Sequence, residues 1–337
     1  MEKRKNKKAT IRDVAKMASV SVASVSRYLN KKADGRLSKE KANTIKRAIK
    51  LLDYVPSAAA RQMVTKQSKM IAVIVTNIDD YFSTELFKGA SNILKAKGYQ
   101  AFLLDTNVEQ QQEKELIKTV SSKYFDGLLL QPLSGNIDTI QSEIINNIPT
   151  VILDKGLATK HWPQVVTDNT KAAKNATKYF LEHGCNDILI LSSEINVAST
   201  RKDRYIGVCS VAKLEQVHLL QINEKIYNYS AIKKKIAIFL KKQKEKQKKT
   251  LIFAFKERWL LEFIPELIAE GYIDDKYVTI TGFADTKVAQ SILPHSKLIH
   301  QNPYLMGASA AEILLKELSD KDQVKSYEPL VVPAKFG

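Results

Sequence analysis

Cysteine is scarce. The chain has 337 residues and two of them are cysteines, Cys185 and Cys209, with no CxxC. So few exclude a disulfide scaffold and fit a reducing cytoplasm, where both act as small buried hydrophobes. Glycine is low as well. None of the 12 stands in a G-x-G, so the dinucleotide-binding fingerprint is missing, and no Walker A loop is present. The five histidines (161, 183, 218, 295, 300) form no HExxH, and no G-x-S-x-G elbow occurs. No apolar run approaches the roughly 18 residues of a membrane span. The basic start is not followed by an apolar signal core after Lys8, so no export signal is expected. The expectation is a non-enzyme with no cofactor and no metal.

Acidic residues are the other shortage, and the shortage is local. The formal net charge is +17. Residues 1–66 carry 18 Lys/Arg against 5 acids, a net of +13, and the remaining 271 residues carry only +4. Residues 233–249 hold nine Lys and one Glu, so the rest of the chain is slightly acidic. A field of one sign on one small segment favours a polyanion as partner. The length suits two to three domains. At 44% hydrophobic, the chain can fill packed cores.

Residues 1–8 are too charged to pack and read as a disordered basic arm. Thr10 followed by Asp13 forms a helix cap, and Ile11, Val14, Ala15 and Ala18 fall on one helical face. Ser21 caps a second short helix, Val22 to Leu29, with Val25 and Leu29 inward. Ser38 and Glu40 open a third, striped by Ile45, Ile49 and Leu52. Two short helices about a tight turn, buttressed by a third, describe a helix-turn-helix over residues 9–55. The bland alternative is a three-helix bundle with a solvated basic face.

The string from Thr10 to Asn30 closely resembles the headpiece of the lactose-repressor/galactose-repressor (LacI/GalR) family of transcriptional regulators. The family pattern is T-I-x-D-V-A-x-x-A-G-V-S-x-x-T-V-S-R-x-L-N. Ser19 replaces the usual turn glycine, at the cost of mild strain, and Ser24 replaces a threonine. The resemblance implies that Val22, Ala23 and Arg27 read bases in the major groove. The apolar pair suits thymine methyls, and an arginine fork suits guanine O6/N7. Thr10, Ser21, Ser24, Ser26 and Asn30 are short donors suited to phosphates, though plain capping explains each nearly as well. Residues 56–68 resemble the family's hinge helix, opening at Pro56 and carrying Ser57, Ala60 and Met63. In the family a leucine at the position of Met63 wedges into the minor groove.

Residues 69–337 alternate apolar runs with amphipathic stretches. Strands are expected at Met70–Val75, Ala101–Asp105, Gly127–Gln131, Thr150–Asp154, Ile188–Ser192, Val217–Ile222, Leu251–Phe255, Val278–Phe283 and Leu298–Gln301. Helices are expected between them, including Gln110–Lys123, Lys202–Leu214 and Ile232–Lys246, with Gly98, Gly184 and Gly271 as stops. This is an all-α headpiece followed by an α/β core of parallel sheets in two lobes. The core resembles the family's periplasmic-binding-protein-like effector domain. The resemblance implies a small-molecule site between the lobes, lined by Tyr81, Phe82, Asp154, Arg204 and Gln301, a homodimer, and a roughly palindromic DNA operator.

Two departures qualify that site. Phe255-Lys256-Glu257 stands where relatives carry Asn-Asp, and Ala284-Asp285 stands where they carry Asp-Asp. The loss at Ala284 removes a carboxylate that grips sugar hydroxyls, while Lys256 adds a cation. An anionic effector, a sugar acid or sugar phosphate paired with Lys256 and Arg204, is therefore weighed against a reshaped neutral-sugar site in which Lys256 faces solvent. The lysine run at 233–249 reads as a solvated amphipathic helix, and a second nucleic-acid surface is the minor alternative. The functional expectation is a cytoplasmic repressor of carbohydrate-utilisation genes with a sugar-like effector. A regulator controlled by a protein partner, or a sugar-processing enzyme fused to a headpiece, stand as alternatives.

Overall fold

The computed structural model describes residues 9–29, 37–55, 67–133, 135–319 and 326–337. The chain divides into two compact units, with the boundary after Ser68.

The first unit contains α1 (Ile11–Met17), α2 (Val22–Leu29) and α3 (Lys39–Leu51). The expected stripes meet: Val14, Ala15, Ala18, Val25, Ile45 and Ala48 are its buried core. Thr10 and Asp13 close a reciprocal capping box on α1. The turn after α1 is a Schellman motif, with Val20 N–H on Ala15 C=O and Ser19 N–H on Lys16 C=O. Ser19 occupies its left-handed position at φ +51°, where a glycine meets no Cβ penalty.

In the second unit the inner strands of each sheet read as apolar runs because both their faces are covered, whereas the edge strands Gln100–Asp105 and Val217–Gln221 are partly exposed. The first lobe is built on a parallel six-stranded sheet of β1 (Met70–Val75), β2 (Gln100–Asp105), β3 (Gly127–Leu130), β4 (Thr150–Asp154), β5 (Gln164–Thr167) and β11 (Leu330–Val332), in the order β11-β5-β4-β3-β1-β2. Ile71, Val73 and Val75 face one core, and Ala72 and Ile74 face the other, the two-residue period of a strand. The second lobe carries β6 (Asp187–Ser192), β7 (Val217–Gln221), β8 (Thr250–Ala254) and β9 (Val278–Gly282) in the parallel order β7-β6-β8-β9. β10 (Ile299–His300) joins its edge and pairs antiparallel with β12 (Lys335–Phe336).

The helices are α4 (Tyr81–Ala96), α5 (Gln110–Thr119), α6 (Ile137–Gln141), α7 (Asn169–Glu182), α8 (Ser199–Cys209), α9 (Tyr229–Glu245), α10 (Glu257–Ala269), α11 (Lys287–Ile292) and α12 (Pro303–Ser319). Sequence reasoning did not anticipate β5, β11 and β12. They are two to four residues long, and β11 pairs with a strand about 165 positions earlier. The expected helix over Gln110–Lys123 ends at Thr119 and continues as a π turn, Val120–Tyr124. Gly98, Gly184 and Gly271 all have positive φ. The lysine run lies on α9 as far as Lys244 and continues past its end, and the helix buries Ile232, Ile236 and Leu240. Its Lys233 pairs with Glu266 and Glu270, and Lys244 pairs with Asp274.

The chain passes between the lobes three times, after β5, after β10 and after β11. The second passage returns as α12, which crosses α4 with backbones nearly touching. A Cβ built on Gly307 would sit 1.9 Å from Leu86 O, and one on Gly89 would sit 2.0 Å from Tyr304 O. No side-chain shift relieves a clash with backbone, so the helices must separate. Gly307→Ala is expected to lower stability by about 3 kcal/mol in urea denaturation of the full chain, the upper end of overpacking costs. An unchanged midpoint would contradict the crossing.

Candidate functional site

On the headpiece, α2 buries Val25 and leaves Ser21, Val22, Ala23 and Arg27 exposed, with Ser24 and Ser26 half-buried. Val22 is 42% exposed although apolar and belongs to no core cluster. The hydroxyls are partly committed. Ser21 Oγ accepts from Ser24 N–H at 3.2 Å and lies 3.0 Å from Ser24 Oγ. Thr10 Oγ1 donates to Asp13 at 2.7 Å. These are capping contacts, and Arg27 is the long exposed cation of the helix. Asn30, Ser57, Ala60 and Met63 lie outside the described residues.

In the second unit a cavity of about 430 Å³ lies between the lobes. That is room for a monosaccharide-sized ligand. Its walls come from the carboxyl ends of parallel strands and the loops that follow them, where an open α/β sheet leaves a crevice. Tyr81, Phe82, Asp154, Arg204, Lys256, Asp285 and Gln301 all line it. The structure thus brings together the seven core positions singled out in the sequence.

Each is held differently. Asp154 ends β4 with φ +63°, in a tight turn closed by Lys155 N–H on Leu153 C=O at 2.6 Å. Left-handed backbone at a non-glycine residue costs about 1–2 kcal/mol, and such strain gathers at binding sites. Gln131 Nε2 donates to Asp154 Oδ2 at 2.9 Å, while Gln131 Oε1 accepts from Thr76 N–H at 3.1 Å. Arg204 is 5% exposed. Its Nε donates to Asn169 Oδ1 at 2.8 Å, its Nη1 to Phe255 C=O, and its guanidinium lies 3.7 Å over the Phe283 ring. Burial brings its pKa down to about 10 against the pull of Asp154 and Asp285. A guanidinium has five N–H groups, so this packing leaves donors for a ligand.

Lys256 departs most from expectation. Its Nζ lies 2.9 Å from Glu224 Oε2 and 3.1 Å from Asp80 Oδ2, so two carboxylates already oppose it. Asp80 belongs to the first lobe, and Lys256 and Glu224 to the second, so the contact bridges the cleft. Asp285 has a structural task as well. Its Oδ1 accepts from the backbone N–H of Gln301 at 2.8 Å and of Asn302 at 3.1 Å, holding the second passage between lobes. Glu257 in turn accepts from the N–H groups of Asp285 and Thr286, both at 3.1 Å. Gln301 Nε2 donates to Thr167 Oγ1 at 3.4 Å.

Lys155, Gln131, Arg201 and Phe283 line the same cavity and were not singled out from the sequence. Gln131 closes the expected strand Gly127–Gln131, and Lys155 lies one residue past the expected strand Thr150–Asp154, so attention to strand ends would have found both. Nothing in the local sequence marks Arg201 above its neighbours. Although His295 and His300 stand five apart, no group of three His, Cys, Asp or Glu side chains gathers among the described residues. No helix among them is long and apolar enough to cross a membrane.

The family model described as "Bacterial regulatory proteins, lacI family" matches residues 10–57, and that of a "Periplasmic binding protein domain" matches residues 71–322. The chain belongs to the LacI family. It is 30% identical to a ribose operon repressor of Halalkalibacterium halodurans over 93% of this chain and 91% of that protein. It is 29% identical to the HTH-type transcriptional regulator KdgR of Bacillus subtilis over 97% of each chain. The crystal structure of a LacI transcriptional regulator from Lactobacillus brevis shares 44% identity with a TM-score of 0.73, over 79% of this chain and 99% of that one.

The bridge at Lys256 has a measurable consequence. Burial alone would raise the pKa of Glu224, but Lys256, the Ser193 hydroxyl and Arg201 outweigh it and bring it from 4.5 down to about 2. The resulting stability is fully present above about pH 4.5 and is lost as pH falls through about 2. Lys256→Ala leaves Glu224 buried with Arg201, at 3.7 Å, as its one remaining cationic partner among the described residues. The variant is expected to lose roughly 2 kcal/mol in denaturation at pH 7. Its deficit should shrink as pH falls from 4.5 towards 2, and a deficit independent of pH would refute the assignment.

Proposed function

We propose that this protein is a sequence-specific DNA-binding transcriptional regulator, a repressor of carbohydrate-utilisation genes. A small sugar-like effector held between the core lobes controls it. The observation that carries this reading is the pairing, in one chain, of an exposed α2 face with a buried, polar, ligand-sized cleft. A regulator needs both and a capture protein needs only the second. A relative named as an HTH-type transcriptional regulator supports the regulatory reading, and one named as a ribose operon repressor supports the carbohydrate setting.

The reading assigns three roles on the headpiece. Val22, Ala23 and Arg27 meet base edges, Thr10, Ser21, Ser24, Ser26 and Asn30 position the helix on phosphates, and Ser57, Ala60 and Met63 belong to a hinge that enters the minor groove. The protein acts in the cytoplasm as a homodimer on a roughly palindromic operator, and it carries no catalytic chemistry of its own. In the cleft, Asp154 and Arg204 take ligand hydroxyls, and Tyr81 and Phe82 offer aromatic faces to a sugar ring. Asp285 and Gln301 tie the ligand site to the passage between lobes. Effector binding shifts the balance between lobe arrangements and so the order of the hinge.

Arg27→Ala should relax discrimination at one base pair per half-site, by about 1–3 kcal/mol, while binding to unrelated DNA changes little. Affinities for an in-vitro-selected operator and its single-base variants measure this. Equal weakening on every sequence would reduce Arg27 to a phosphate contact.

A further inference from the structure

The cleft holds five cationic side chains, Lys155, Arg201, Arg204, Lys256 and Arg258. Lys256 faces Asp80 and Glu224, Arg201 faces Glu224, and Arg258 faces Glu262 at 3.5 Å. Of the other carboxylates that line the cleft, Asp285 and Glu257 accept from backbone N–H groups, Asp154 accepts from Gln131, and Asp79 is not among the charges that act on Lys155. Lys155 is different. It is half-buried at the carboxyl end of β4, and its ammonium has no hydrogen-bond or ion-pair partner among the described residues.

We infer that the ligand of the cleft carries an anionic group, a carboxylate or a phosphate on a polyol, and that Lys155 is its seat. The inference rests on the reading of the cleft as the effector site and replaces Lys256, which is already neutralised, as the anion's partner. An ammonium partly withdrawn from water is destabilised unless a counter-charge or hydrogen bonds compensate. The groups facing Lys155 are Asp154 beside it, Arg201 on α8, Lys256 at the start of α10 and Glu224 after β7. Burial brings its pKa down to about 8 although Asp154 pulls the other way, so the ammonium lacks sufficient counter-charge. An anion in this place is shared between Lys155 of the first lobe and the unspent donors of Arg204 in the second. Polyol hydroxyls remain for Asp154.

The sign of the pH dependence follows. An anion binds the protonated ammonium and raises its pKa. Affinity is flat below about pH 8 and falls roughly tenfold per unit above it, with a proton taken up on binding. A neutral ligand shows no such slope.

The test uses the full chain and three matched pairs: D-gluconate with D-glucitol, D-glucuronate with D-glucose, and D-ribose 5-phosphate with D-ribose. Thermal shift screens them, and isothermal titration calorimetry measures affinity from pH 6.5 to 9.5. The acid of at least one pair should bind at least tenfold tighter than its neutral partner and weaken above pH 8. Lys155→Gln should abolish both the preference and the slope. The pH series on the native chain tests the same point without any variant. Neutral members that bind as tightly as their acids in every pair that binds overturn the inference and leave the effector reading intact. An acid whose affinity is untouched by Lys155→Gln overturns it also. Silence from all six compounds overturns the effector reading, and the inference with it.

Discussion

The carboxylate of Asp285, holding two consecutive backbone N–H groups, is the contact on which the core's arrangement turns. It fixes Gln301 and Asn302 as the chain passes from the second lobe back to the first. Asp168 does the equivalent at another passage, accepting from Ala334 N–H at 2.8 Å. Short passages pinned by side-chain carboxylates keep the carboxyl ends of two parallel sheets facing one crevice. Every group that can touch a ligand follows from that constraint. Asp154 and Gln131 come up from one sheet, and Phe283 and Lys256 from the other. Arg204 is wedged between Asn169, the end of β8 and an aromatic ring. Because Asp285 and the Gln301 it pins both line the crevice, a ligand there would touch the passage between lobes directly, which is the physical requirement for coupling lobe arrangement to occupancy.

Much of this was legible in the sequence, for identifiable reasons. Strands buried on both faces read as unbroken apolar runs, so β1, β4, β6 and β8 stood out. β5, β11 and β12 did not, because a strand of two to four residues is defined by its partner rather than by its own pattern. The headpiece was legible residue by residue: Thr10 and Asp13 cap α1, and Ser19 takes the left-handed turn position where the family's glycine would stand. The seven positions expected to hold an effector meet in one cleft because strand ends, and the helix starts and loops that follow them, converge there, with Arg204 reaching in from α8. Charge pairing was the illegible part. Lys256 looked like a cation awaiting a ligand, yet Asp80 and Glu224, respectively 176 and 32 residues away, neutralise it. Lys155, one residue past a strand, passed unnoticed and has no such partner among the described residues. Spacing along a chain reports faces, whereas ion pairs between lobes depend on how the lobes meet.

The net charge divides along the same lines. The excess over residues 1–66 serves a polyanion, where phosphate neutralisation supplies affinity and a few side chains supply discrimination. The lysines of α9 belong instead to a solvated helix whose cations partly pair with α10 and its following loop. Left-handed backbone at non-glycine residues occurs at Ser19, where the headpiece turn requires it, and at Asp154, whose side chain lines the cleft.

The central claim is that occupancy of the cleft changes affinity for DNA. Fluorescence anisotropy of the full chain on a duplex selected in vitro, with and without a saturating ligand found by thermal shift, tests it directly. Coupling between the sites predicts a change in dissociation constant of about tenfold or more, in either direction. Identical affinities with the cleft empty and filled would contradict the account.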